Sequence, residues 1–162
     1  MDVKLADLIF IKGDGFFSRV IERIEHSPYS HVAGVVKPNE LVESIAFRPI
    51  GYGGVDTYDG VADVFTCNQL TDAQRQAVVN FVIERIGTGY DYPIIGWELF
   101  HYEFHIDLPY REDGKDFDCS ELWRVAYKSV GIDLCPGLEY ASPGDMVLSP
   151  LLRKVGSLSR TG

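Results

Sequence analysis

The segment Asp118-Cys119-Ser120-Glu121 has the residue types for nucleophilic chemistry. Asp is a favoured helix N-cap, so Cys119 is expected at the first helical position, where unpaired N–H groups and the positive end of the helix dipole favour a thiolate. The same N–H groups could hold the oxyanion of an acyl intermediate, a contribution whose loss costs ~2.7 to 4 kcal/mol in other enzymes. By itself the pattern also describes an ordinary small buried cysteine behind a capping aspartate.

A thiol nucleophile needs a base, and the base needs an orienting group. The chain has four histidines. His31 lies in the β-rich run SHVAGVV, on an element stiffer than a loop, and Glu43 lies on the next such run. Side chains of an antiparallel pair share a face only in certain registers. Pairing Val36 with Glu40 across a three-residue turn puts Ala33 opposite Glu43, and His31 then sits diagonally from Glu43 on one face. The alternative is a satisfied strand-edge histidine and a solvent-facing glutamate.

Other constellations carry less. His101 and His105 could share a helix face and hold zinc, but the glutamate between them is one place later than in His-Glu-x-x-His and no third ligand is assigned. No metal is therefore expected. Gly51-Tyr52-Gly53-Gly54 lacks the Lys-Ser/Thr ending of a phosphate loop and reads as a loop near the site. The aromatic residues between Tyr90 and Phe104 read as core and groove wall rather than a cofactor box. Cys67 and Cys135 read as packing cysteines.

The elements that would position these groups follow from periodicity and punctuation. Residues 7–11 (DLIFI) form a short buried strand ended by Lys12-Gly13-Asp14-Gly15. Residues 17–24 have helical spacing, and residues 30–36 and 41–47 form a hairpin. Residues 61–67 form another strand, and Thr71 with Gln74 opens a capped helix running toward Gly87. Helices are expected over 94–104 and from Asp118 toward Gly131, with Glu121 partnering the Asp118 cap, and a short last strand over 146–148. Strands and helices mix without regular βαβ alternation, so the class is α+β.

Composition bounds the partners. The chain of 162 residues is one domain, 1–162, with 46% hydrophobic and 24% charged residues, ordinary globular values. Its net charge of −9 and the lack of a basic stripe argue against nucleic acid and anionic lipid as partners. Charges interrupt every apolar stretch well before the ~18 residues of a membrane span. Three cysteines are too few for a disulfide framework. The start MDVKLADLIF carries no secretory leader, so synthesis in the cytoplasm is expected, with any delivery to the cell envelope by a signal-independent route. Oligomeric state leaves no signature.

A strand headed by Ser30-His31-Val32-Ala33-Gly34, an acid on the next strand and a late helix opening Asp118-Cys119-Ser120-Glu121-Leu122 resemble the circularly permuted NlpC-type papain-like cysteine peptidases, the YiiX-like group. Asp7-Leu8-Ile9-Phe10, Gly89-Tyr90-Asp91-Tyr92 and Pro143-Gly144-Asp145 extend the resemblance over most of the chain. It implies a permuted papain-like fold, with an antiparallel sheet packed against helices. It also implies Cys119 as nucleophile, His31 as base and Glu43 as orienter, with no cofactor. Asp118, Ser120 and Tyr29 are expected to contact substrate. Unpermuted relatives commonly have Gly where Glu121 stands here, a bulkier acid beside the nucleophile. The implied reaction is amide hydrolysis in peptidoglycan-type peptides. The alternatives are acyl-lipid or thioester chemistry, as in lecithin:retinol-acyltransferase-type enzymes, and an inactive binding module.

Overall fold

A computed structural model describes residues 1–13, 27–44, 50–87, 119–138 and 141–159, and the Cys119 side chain lies outside the description. The chain order is β1 (Leu8–Lys12), β2 (Tyr29–Lys37), β3 (Glu40–Glu43), β4 (Gly51–Gly54), a 3₁₀ turn (Val55–Tyr58), β5 (Ala62–Cys67), α1 (Asp72–Ile83), α2 (Cys119–Lys128), α3 (Pro143–Val147) and β6 (Leu152–Ser157). The strands form one antiparallel sheet in the order β4-β3-β2-β1-β5-β6, so the class is α+β.

β1 lies inside the sheet and is buried on both faces, which is why its sequence is an unbroken apolar run rather than an alternating one. Leu8, Phe10, Val32, Val42 and Phe65 face the helices; Ile9, Ile11, Ala33, Val35, Leu41 and Val64 face the other way and are covered by Val55 and Leu158. Burial of this kind is worth about 1.5–3 kcal/mol per large aliphatic side chain. α2 is attached to the first face through Trp123. A Cβ added to Gly34 would lie 2.2 Å from the indole, and indole Nε1 donates to the Val42 carbonyl at 3.1 Å. Only glycine allows that approach.

α1 starts with the expected capping box, in which Gln74 N–H donates to Thr71 Oγ1 at 3.2 Å and Thr71 N–H to Gln74 Oε1 at 2.9 Å. Its Arg75 is buried with both terminal nitrogens used: Nη1 donates to the Leu5 carbonyl and Asp7 Oδ1, Nη2 to Thr66 Oγ1 and the Cys67 carbonyl. A buried guanidinium is tolerated because four oxygens replace its water.

Three expectations need correction. Residues 146–148 do not make a strand: Met146 and Val147 lie in α3, whose N-cap Ser142 and N3 residue Asp145 form a second capping box with Pro143 at the first position, and the last strand is β6. Gly51–Gly54 is a paired strand rather than a loop, its low side-chain content hiding its β character. The hairpin turn is tighter than expected, with Lys37 rather than Val36 opposite Glu40 and a bulge absorbing the extra residue. β3 ends at Glu43 within the expected 41–47 run. The expected helices over 17–24 and 94–104, with His101, His105 and the Tyr90 to Phe104 aromatics, lie outside the described residues.

Candidate functional site

Beyond the bulge, β2 and β3 pair with Val35 opposite Leu41 and Gly34 opposite Val42, the register that sets Ala33 against Glu43. His31 and Glu43 therefore share the face turned away from the helices, together with Ala33, Val35 and Leu41. His31 Nε2 lies 2.7 Å from Glu43 Oε2. Opposite an ionised carboxylate, which only accepts, Nε2 is the donor, and in the neutral ring Nδ1 then keeps a lone pair. Nδ1 has no hydrogen-bond partner among the described residues.

Tyr58, at the end of the 3₁₀ turn, donates its hydroxyl to the same Glu43 Oε2 at 2.6 Å. Its ring centroid lies 6.2 Å from that of His31, tilted by 49°. Reading the sequence missed this residue because an irregular turn has no periodicity to register. Gly53 belongs to the segment read from sequence as a loop near the site, and a Cβ there would lie 2.9 Å from Glu43 Oε1. The alternation of glycines 51 and 53 opposite β3 was the available signal.

Cys119 is the first residue of α2, the position expected for it. Asp118 lies outside the described residues. α2 packs on the face of Gly34, opposite to that of His31. β3 stops at Glu43, and in this register His31 stands beyond that end.

Two residues expected to contact substrate are buried with other partners. Ser120 is completely buried and donates its hydroxyl to the Ala141 carbonyl at 2.7 Å, so it ties α2 to the segment before α3. Glu121 works alongside it, its Oε1 accepting from Ala141 N–H at 3.1 Å, which gives the acid at this position a structural task. Tyr29 is likewise not brought to His31, although only two positions away. A bulge between Ile11 and Lys12 breaks the β1–β2 register and turns Tyr29 to the helix-covered face. There its ring packs edge-on against Phe10 and Phe65, and its hydroxyl donates to Asp63 Oδ2 at 2.5 Å. Burial first, then the hydrogen bond to Asp63 and its charge, push the Tyr29 hydroxyl far above its ordinary range, so it stays protonated.

Asp63 is itself a buried anion. Burial pushes its carboxyl up, but donors from Ser157, Tyr29, Lys154 and Lys12 outweigh that and hold it well below the usual carboxylate range. Lys12 and Lys154 approach Oδ2 at 3.2 and 3.1 Å from half-exposed positions. This cluster secures the β1, β5 and β6 end of the sheet.

Cys67 and Cys135 are both buried free thiols, as their packing role requires, and burial pushes the Cys135 thiol up to about 11. Among the described residues no helix is long and apolar enough to cross a membrane.

No family model matches the chain, and no curated protein matches it. Among solved structures it is similar to the metalloprotein YiiX from Escherichia coli O157:H7, with a TM-score of 0.58 at 16% sequence identity. The match covers 98% of this chain and 99% of the other, so the protein has the fold of YiiX.

Proposed function

We propose that the protein is a cysteine hydrolase that cleaves amide bonds through Cys119, His31 and Glu43. The observation that carries the reading is the 2.7 Å contact between His31 Nε2 and Glu43 Oε2, which commits one ring nitrogen and leaves Nδ1 for a substrate or a thiol. Cys119 at the start of α2 supplies the nucleophile in the position where a helix N-terminus lowers a thiol's pKa. In the proposed reaction His31 Nδ1 takes the thiol proton and Sγ attacks the amide carbonyl carbon. The carbon–nitrogen bond breaks as the imidazolium protonates the leaving amine. Water then gives its proton to His31 and attacks the thioester, releasing the acid and returning the thiol.

Peptidoglycan-type peptides are the leading substrate class by family resemblance, and a net charge of −9 suits amine-bearing peptides. YiiX is described as a metalloprotein, and a metal held between His31 and Glu43 would set their spacing. Zinc bonded to a ring nitrogen and a carboxylate oxygen at ~2.0–2.2 Å, at the tetrahedral angle, separates the two by about 3.3–3.6 Å. The observed 2.7 Å is shorter and fits a hydrogen bond. Among the described residues no three metal-binding side chains converge. The spacing of the pair does not fit a shared metal.

The test is mass spectrometry of Cys119 after incubation with a panel of amine-bearing peptides and of acyl lipids. A peptide acyl adduct, absent in His31→Ala, is expected. Acylation only by long-chain donors, with a rate that climbs with each methylene, would instead mark the acyl-lipid chemistry, and no adduct from either panel would leave a binding module.

A further inference from the structure

Glu43 has three single-bond torsions between its backbone and its carboxylate plane, so one contact to His31 does not fix where its oxygens point. Two neighbours do. Tyr58 O–H donates to Oε2 at 2.6 Å, the oxygen that His31 Nε2 approaches at 2.7 Å. Gly53 has no side chain where a Cβ would press on Oε1 at 2.9 Å and on Leu41 Cδ1 at 2.9 Å. The carboxylate thus lies along β4 with one oxygen held by two donors and the other over a glycine.

Tyr58 is itself well located. Val55, three residues earlier in the same 3₁₀ turn, is buried and donates its N–H to the Asn39 carbonyl at 3.2 Å. On the far side Val61 N–H donates to the Tyr58 carbonyl at 3.1 Å, and Gly60 N–H to the Leu158 carbonyl at 2.8 Å. The turn is pinned to the β2–β3 hairpin at one end and to the segment after β6 at the other.

We propose that Tyr58 and Gly53 are positioning residues that lock the Glu43 carboxylate, so that His31 keeps its proton on Nε2 and presents Nδ1 as the base. The assignment takes its catalytic meaning from the thiol-hydrolase reading above. The tautomer lock itself can be measured without any substrate.

The experiment uses the full chain labelled with ¹⁵N-histidine, followed by NMR through the titration of His31. In the parent protein neutral His31 is expected as the Nε2–H tautomer, favoured at least about tenfold, the ratio that corresponds to one charge-assisted hydrogen bond. Tyr58→Phe removes one oxygen and is expected to bring the two tautomers to within about threefold of each other. Gly53→Ala, which displaces Oε1, is expected to move the ratio in the same direction. Thermal melts of both variants verify folding, and a lower melting temperature with an unchanged tautomer ratio in both variants would overturn the proposal. In parallel, alkylation of Cys119 by iodoacetamide at pH 6 is expected to slow about tenfold in Tyr58→Phe. Slow Cys119 labelling in the parent protein would count against the thiol-hydrolase reading alone, since the tautomer ratio decides the role of Tyr58 separately.

Discussion

His31 and Glu43, 12 positions apart, meet at 2.7 Å because β2 and β3 pair in a register that places them diagonally on one face. A slip of one residue would put them on opposite faces. The contact is partly buried, so water competes with it only weakly.

The proposed thiol chemistry sets an order of cysteine reactivity. At pH 6 iodoacetamide should alkylate Cys119 much faster than Cys67 or Cys135, because only the thiolate reacts. Cys135, pushed up to about 11 by burial, has a negligible thiolate population there, and Cys67 is buried in β5. Peptide mapping of the labelled sites checks the order; equal labelling of the three would contradict the catalytic assignment. Glu43→Gln should slow Cys119 selectively.

Replacing Ser120 separates a structural hydroxyl from a substrate contact. Ser120→Ala leaves the Ala141 carbonyl without its 2.7 Å donor in a buried setting, at a cost of about 1–2 kcal/mol in urea denaturation. Cys119 alkylation should be unchanged. A marked loss of reactivity without loss of stability would return Ser120 to the site.

The Gly34 and Trp123 contact should be equally sensitive. A methyl at Gly34 would fall 2.2 Å from an indole that is itself completely buried, so either the helix or the strand must move. Gly34→Ala should cost about 3 kcal/mol, the upper end of overpacking penalties, measured as a lower denaturation midpoint. Quenching of Trp123 fluorescence by iodide would rise with the displacement.

Acid should weaken the sheet end around Asp63. Its carboxyl is held below the usual range in the folded state, so it contributes stability at pH values above the unfolded value near 3.9. That contribution is lost as the pH falls through the folded-state value, since proton uptake then favours neither state. Asp63→Asn should lower stability at pH 7 by about 2 kcal/mol, part of it removed by salt because Lys12 and Lys154 are half exposed. Melting curves of parent and variant should converge toward pH 2.

The sequence alone determined the local features. The capping box of Thr71 and Gln74, the apolar run of β1 and the placement of Cys119 at a helix start all depend on residues within a few positions of one another. The β2–β3 register beyond the bulge was legible too, because a short turn between two neighbouring β-rich runs leaves few pairings. Ser142 and Asp145 carried an equally local signal for α3, outweighed by the apolar residues that follow. Tertiary structure decided the rest. Whether Tyr29 points with His31 or away depended on one bulge, which arises from pairing with β1 and leaves no mark in the residues of β2 itself. Ser120 lost its hydroxyl to Ala141, 21 positions on, and Glu43 gained Tyr58 from a 3₁₀ turn on the far side of β4. Such partners are chosen by which surfaces pack together, and packing is a property of the assembled sheet and helices that no local pattern encodes.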